Sequence, residues 1–241
     1  MLCVAAIKLP ARMEPQDEAC FNPYLDPERK DRIRRLLKPD DRLRSICGEL
    51  LTKWMLSSRL QRPILSLTLS RTPSGKPFLP DTACEFNLSH SGLWVAVALG
   101  DEAVGIDVER IRVMDEDIVR RFFSSEEVAV FFNAPLEERP ALFFDLWTFK
   151  ESYIKAMGDG LRISLDSFSI RRRGDAVNLV VKGCPNPGWH LRSFPLESEY
   201  RCALCSREWS DSTPLRMLNY TELQSAARTG FCERLSLSPG S

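Results

Sequence analysis

Apolar positions recur along this chain with two periods. Leu43, Ile46, Cys47, Leu50, Leu51, Trp54 and Met55 fall at alternating spacings of three and one, the stripe of an amphipathic helix that starts near Asp40. Leu142, Leu146, Phe149, Tyr153 and Met157 repeat at three and four residues behind Pro140. They predict the longest helix, with Gly158 as its stop. Asp26-Pro27 joins an N-cap to a proline at the first helical position and opens a helix through about Leu37, which Pro39 ends. Further helices are expected over Asp115 to Arg121, behind the capping box Ser124 to Glu127, and behind Thr221 to Gln224.

The other period is two. In V-G-I-D-V-E (104–109), Ile106 and Val108 alternate with Asp107 and Glu109, as on a half-buried strand. Strands are also expected at 3–8, 64–69, 76–79 after the Ser74-Gly75 turn, 93–99, 166–172, 177–182, 189–194 and 199–206. F-N-L-S-H-S-G (86–92) reads as a polar turn. The order is strand, two helices and several strands, and then the same again. It implies an α+β chain of two halves side by side, 1–103 and 104–225, followed by an extension, 226–241, that ends in a loose tail from Leu235. Residue identity between the halves is negligible.

Composition narrows the class. The 241 residues are 44% apolar and 27% charged, ample for a buried core. Thirty-three basic residues balance thirty-three acidic ones, so no global field favours nucleic acid and any anion site is local. No apolar run approaches the roughly 18 residues of a membrane span, and the opening M-L-C-V-A-A-I-K-L-P is too short and poorly flanked for a signal peptide. A cytoplasmic protein is expected. Eight scattered cysteines make no disulfide framework, and Cys202 and Cys205, the one C-x-x-C, read as buried free thiols rather than zinc ligands.

The candidate chemistry lies in four places. Asp107 and Glu109 project from one side of their strand, about 7 Å apart at Cα. Their mutual repulsion calls for a hard divalent cation, Mg²⁺ or Mn²⁺, although a strand showing its acidic face to water has the same pattern. Between 29 and 44, eight Lys or Arg stand against Asp31, Asp40 and Asp41. They are either two solvated helical faces or a local phosphate site, for which Arg44 is the best placed. His90, between Ser89 and Ser91, suits a polar turn and a phosphate contact equally; Ser89 has no G-x-S-x-G around it. Trp147, Glu151 and Lys155 share a helix face at i, i+4 and i+8, where Glu151 and Lys155 also have the geometry of a surface ion pair.

Together, G-K-P (75–77), F-N-L-S-H-S-G (86–92), G-I-D-V-E (105–109) and W-T-F-K-E-S-Y-I-K (147–155) stand in the order and spacing of the phosphopantetheinyl transferases. The chain resembles the large, surfactin-synthetase-activator type over about residues 1 to 225. The resemblance implies a monomeric pseudo-dimer of two α+β halves with the active site in the cleft between them. It implies transfer of 4′-phosphopantetheine from coenzyme A to a serine of an acyl or peptidyl carrier protein, with release of 3′,5′-ADP. By the same likeness Asp107, Glu109 and Glu151 match the metal-binding acids. Arg44, Lys76, Ser89 and His90 match positions that contact phosphates or the nucleotide, and Lys155 matches the lysine on the pyrophosphate. Lys150 and Trp147 complete the motif, Lys150 as a further coenzyme A contact and Trp147 as packing. Catalysis is assigned to Glu151 as general base, Lys155 at the leaving phosphate and Asp107 as the other candidate base. Arg29 and Arg32 stand where the family often has lysines and are left out of the specific contacts.

Two other classes compete. Another Mg²⁺-dependent phosphotransferase would suit the acids and lysines, but no G-x-x-x-x-G-K-[ST] loop or kinase signature is present. A carrier- or nucleotide-binding relative without chemistry is disfavoured because every motif acid and lysine is retained. No nucleic-acid or membrane partner is expected.

Overall fold

The computed structural model describes all residues except 13, 159–162, 175, 209–212, 233–234 and 236–241. The expected loose tail, apart from Leu235, lies outside the described residues.

The first half runs β1 (Cys3–Lys8), α1 (Pro15–Phe21), α2 (Pro27–Arg34), α3 (Pro39–Leu60), β2 (Ser70–Arg71), β3 (Pro77–Phe78), β4 (Glu85–Ser91) and β5 (Trp94–Gly100). The second runs β6 (Val104–Arg110), α4 (Glu116–Phe122), α5 (Ser125–Asn133), α6 (Arg139–Met157), β7 (Phe168–Arg173), β8 (Ala176–Val181), β9 (Cys184–Pro185), β10 (His190–Ser193) and β11 (Tyr200–Ser206). β12 (Leu215–Asn219) and α7 (Tyr220–Arg228) follow.

The halves repeat one topology. In the first, β1 pairs antiparallel with β5, and β5 with β4, while α3 connects β1 to this hairpin. In the second, β6 pairs antiparallel with β11, and β11 with β10, while α6 takes the place of α3. The expected α+β pseudo-dimer is the fold observed.

Period-two alternation explains how the layers stack. Cys3, Ala5, Ile7, Val95, Val97 and Leu99 face α3 and pack on its stripe, in which Leu50, Leu51 and Met55 are fully buried. Each such side chain contributes roughly 1.5–3 kcal/mol by leaving water. The alternate residues Val4, Ala6, Trp94, Ala96 and Ala98 face the second sheet, against Val104, Ile106, Val108, Cys202 and Leu204. The two sheets therefore lie face to face with one long helix on each outer side. Gly105 allows α6 its close seat. A Cβ there would collide with the carbonyl oxygen of Ser152 and stand 2.5 Å from the amide nitrogen of Ala156.

Several local expectations are corrected. I-L-S-L-T-L (64–69) is no strand. Ile64 and Leu67 are buried at a spacing of three while Leu65 is 69% exposed, so the segment takes a 3₁₀ turn, Ile64–Ser66, ahead of the short β2. Residues 86–92 are mostly strand β4, not a turn, because pairing with β5 along its whole length absorbs the polar residues. Pro39 starts α3 at its first helical position instead of merely stopping α2. The cap of α7 is Asn219, in a reciprocal box with Glu222, rather than Thr221.

Among the elements that had not been expected, α1 and β12 close the first half. α1 is tied to α7 through buried Asp17, which accepts from Tyr220 Oη (3.1 Å) and Gln224 Nε2 (2.6 Å). β12 pairs parallel with β1, Val4 opposite Leu215 and Lys8 opposite Asn219. Leu223, Ala226, Ala227, Phe231 and Leu235 are buried in the first core. Ala226, Ala227, Phe231 and Leu235, placed beyond 225 in an extension, thus pack as part of the first half.

Candidate active site

The cleft forms where β4 and β6 come together beneath α6. On β6, Val104, Ile106 and Val108 face the sheet interface, so period two turns Gly105, Asp107 and Glu109 toward α6. The close seat at Gly105 then brings Glu151 and Lys155 of α6 beside the two acids. Asp107, Glu109, Glu151 and Lys155 line a cavity of about 400 Å³ with Ser89 and His90. An adjoining cavity of about 270 Å³ shares Glu151 and Lys155 and adds Lys76 and Asn87.

Asp107 is buried at the floor. Its Oδ1 accepts from Lys155 Nζ at 2.6 Å and from Ser89 Oγ at 2.9 Å, whereas Oδ2 is buried without a hydrogen-bond partner among the described residues. Burial raises the Asp107 pKa, and Lys155 and Ser89 pull it back. Lys155 also donates to Ser89 Oγ (3.0 Å) and the Ile106 carbonyl (3.3 Å), so its three donors are directed at the floor of the cleft. Glu109 Oε2 accepts from Ser91 Oγ (2.8 Å) and Arg112 Nη1 (3.1 Å). Glu151 is half-buried, and burial followed by the charge of Asp107 raises its pKa, with Lys155 opposing.

The remaining predicted residues separate into two groups. His90 stands at the cleft rim, its pKa lowered chiefly by desolvation, with Arg44 and Lys155 adding to it. Arg44 reaches the Gly92 carbonyl (2.8 Å) and Asp41 (2.5 Å). Lys76 pairs with Glu85 at 2.7 Å on the neighbouring wall. Trp147 stacks on Phe143 at 5.5 Å and meets Phe122 edge-on, a packed wall.

Lys150 is different, and its expected coenzyme A contact is corrected. It is fully buried inside the second half, with Nζ bonded to Glu127 (2.8 Å) and the carbonyls of Leu165 (2.8 Å) and Phe168 (2.7 Å). One residue before Glu151, it turns about 100° around the helix into the core. Burial lowers its pKa and Glu127 opposes that shift.

The structure also shows residues that spacing did not single out. Ser91 and Arg112 hold Glu109, as above. Arg29, Arg32 and Arg71 line another concavity of about 400 Å³ that shares Leu88 and Pro77 with the cleft. Arg29 is engaged there with buried Glu49 at 2.8 Å. The basic run was the signal for Arg29 and Arg32; nothing local pointed to Arg71. Cys202 and Cys205 are buried free thiols on β11 whose pKa values burial raises.

The donor set suits a hard divalent cation: three carboxylates on one cleft, one with a buried oxygen that no described group satisfies. It is not a ready-made cage. Among the described residues no three acids, histidines or cysteines are gathered closely enough to hold a metal, and Glu109 is engaged with Ser91 and Arg112. No described helix is long and apolar enough to cross a membrane.

Known proteins resemble this chain over most of its length. Residues 103–205 match the model of the 4′-phosphopantetheinyl transferase superfamily, and residues 14–102 match that of the 4′-phosphopantetheinyl transferase N-terminal region. The chain is 30% identical over 213 residues to the 4′-phosphopantetheinyl transferase Sfp of Bacillus subtilis, covering 88% of this chain and 95% of that protein. It is 31% identical over 206 residues to the 4′-phosphopantetheinyl transferase gsp of Aneurinibacillus migulanus, covering 86% of each. The holo-[acyl-carrier-protein] synthase structure of Thermotoga maritima aligns with 43% of this chain and 61% of its own at 21% identity, with a TM-score of 0.36, too slight a likeness to argue from. With both halves matched and relatives of this identity spanning most of its length, the chain belongs to the 4′-phosphopantetheinyl transferases and is an enzyme of the surfactin-synthetase-activator type.

Proposed function

We propose that the chain moves the 4′-phosphopantetheine arm of coenzyme A onto a serine of an acyl or peptidyl carrier protein, with Mg²⁺ (or Mn²⁺) present and 3′,5′-ADP released. The observation that carries this reading is Asp107 Oδ2, a buried carboxylate oxygen without a partner in the cleft shared with Glu109, Glu151 and Lys155. Asp107, Glu109 and Glu151 would hold the cation, which when bound neutralises pyrophosphate charge and polarises the phosphorus under attack.

The chain's own groups do the rest. Glu151 accepts the proton of the carrier serine, since it enters the cleft from α6 rather than from the strand that carries the other two acids. The serine oxygen bonds to the phosphorus that bears pantetheine as the bridging P–O bond breaks, and the electron pair departs on the 3′,5′-ADP phosphate. Lys155 keeps a positive charge at the cleft floor and fixes Asp107; reaching the leaving phosphate requires it to release one of its present acceptors. Ser89 orients Asp107 through its hydroxyl. Arg44, Lys76 and His90 supply the edge that receives the nucleotide phosphates, and Arg29, Arg32 and Arg71 extend it.

The two halves supply both cleft walls within one chain, which favours a monomer. A cytoplasmic enzyme with a carrier protein and coenzyme A as its partners, and neither nucleic acid nor membrane, fits this reading. The test is mass spectrometry of an apo carrier incubated with the protein, coenzyme A and Mg²⁺, with EDTA as control. The expected result is a phosphopantetheine mass on the carrier serine that is lost with EDTA. Turnover of ATP without modification of any acyl or peptidyl carrier would instead place the chain among other phosphotransferases.

A further inference from the structure

We propose that Ser91 is a positioning residue for the carboxylate of Glu109, a role that rests on the metal-assisted transfer reading above. β4 and β6 lie side by side without a backbone ladder between them; alternate side chains of β4 make the connection instead. Asn87 Oδ1, Ser89 Oγ and Ser91 Oγ accept the backbone N–H groups of Ile106, Val108 and Arg110 at 3.0, 3.3 and 3.1 Å. Both strands advance by two residues per step, so each β4 side chain meets its own β6 amide.

A hydroxyl that accepts an amide N–H still has one proton to donate. That of Ser89 goes to Asp107 Oδ1 and that of Ser91 to Glu109 Oε2, at 2.9 and 2.8 Å. Each acid thus has one oxygen taken by a serine and a cation, Lys155 for Asp107 and Arg112 for Glu109. The second oxygens, Asp107 Oδ2 and Glu109 Oε1, take no hydrogen bond among the described residues.

The two steps differ in what else holds the acid. Lys155 is anchored on α6, so Asp107 stays in place without Ser89. Glu109 has a longer side chain, and its other partner is Arg112, 61% exposed. Ser91 is the one rigid group fixing that carboxylate, because its own hydroxyl is set by the Arg110 amide. Asn87 accepts an amide at the same kind of step but holds no carboxylate.

The experiment is titration of the full chain with Mn²⁺, followed by electron paramagnetic resonance with coenzyme A present and no carrier, alongside thermal unfolding. Ser91→Ala is expected to weaken Mn²⁺ binding about tenfold, as loss of a partner behind a metal ligand does, and Ser91→Thr to stay within about twofold of the parent. Thr52→Ala, at a buried hydroxyl of α3 that bonds the Gly48 carbonyl away from the cleft, is expected to lower the Tm and leave Mn²⁺ affinity unchanged. If Ser91→Ala does not fold, Ser91→Cys gives the same comparison, since a thiol is a poor donor. Parental Mn²⁺ affinity in the Ser91 variant that folds, or an equal loss in Thr52→Ala, would overturn the role of Ser91 alone. A parent chain that bound no Mn²⁺ would overturn the metal reading, and this role with it.

Discussion

Lys155 holds Asp107 by a 2.6 Å contact from Nζ to Oδ1, while the other oxygen of the same carboxylate lies buried and unsatisfied. The pair serves the resting fold as much as the reaction. Lys155→Met should leave a buried carboxylate supported by Ser89 alone and cost about 3 kcal/mol, the lower end for an uncompensated buried charge because Lys155 is partly exposed. Urea unfolding measures this, and an unchanged midpoint would show that the contact contributes nothing.

Glu151 should trade stability for basicity. Its folded-state pKa is raised by burial, Asp107 and Glu109, against Lys155. The native state therefore binds more protons than the unfolded chain just above the ordinary glutamate value. Stability falls as pH rises through that window, and the loss persists at neutral pH. Glu151→Gln is expected to raise the Tm near neutral pH while lowering transfer by about 100-fold or more. A variant with lower Tm at neutral pH would refute the assignment of strain to this carboxylate.

Gly105→Ala tests the seat of α6. The added methyl meets helix backbone, which has no rotamer to move, so overpacking should cost at least the usual 1–3 kcal/mol or so. Transfer should fall with it, since α6 carries Glu151 and Lys155. Denaturant unfolding and transfer rate would be measured on one preparation; parental values in both would mean that the helix can shift freely.

Lys150 should behave as a core residue. Lys150→Met leaves Glu127 buried without its cation, at a cost of about 3–5 kcal/mol, and the double variant with Glu127→Gln should recover part of it, since glutamine removes the charge and still accepts one of the Ser124 and Ile170 amides. Its KM for coenzyme A should match the parent's. A rise in KM that persisted in the stable double variant would return Lys150 to the ligand.

Much of this architecture was legible in the chain because it depends on local periods. The stripe from Leu43 to Met55, the V-G-I-D-V-E alternation and the Ser124 box each follow from neighbours a few residues apart. Spacing also put Trp147, Glu151 and Lys155 on one helix face. What spacing could not supply was the direction of Lys150, whose burial is decided by Glu127 and two carbonyls from later in the chain. Ser91 was visible only as a polar neighbour of His90, because its role depends on the register of β4 against β6. α1 and β12 escaped for a similar reason: α1 is held by residues of α7, and β12 by β1 at the other end of the sequence.

The parallel pairing of β1 with β12 also governs how the chain can reach this fold. During synthesis the first sheet has an open edge along Val4 to Lys8 until Leu215 to Asn219 emerge, nearly the whole length later. Contacts so distant in sequence close slowly, and an open strand edge invites pairing with other chains in the interval. The first half is thus not a module that folds on its own and waits for the second. Severing the chain in the turn between Gly100 and Val104 would separate β1 from its outer strand and strip Leu223, Ala226 and Phe231 from the core over it. Although the halves repeat one plan, the molecule folds as one unit, latched by its last elements.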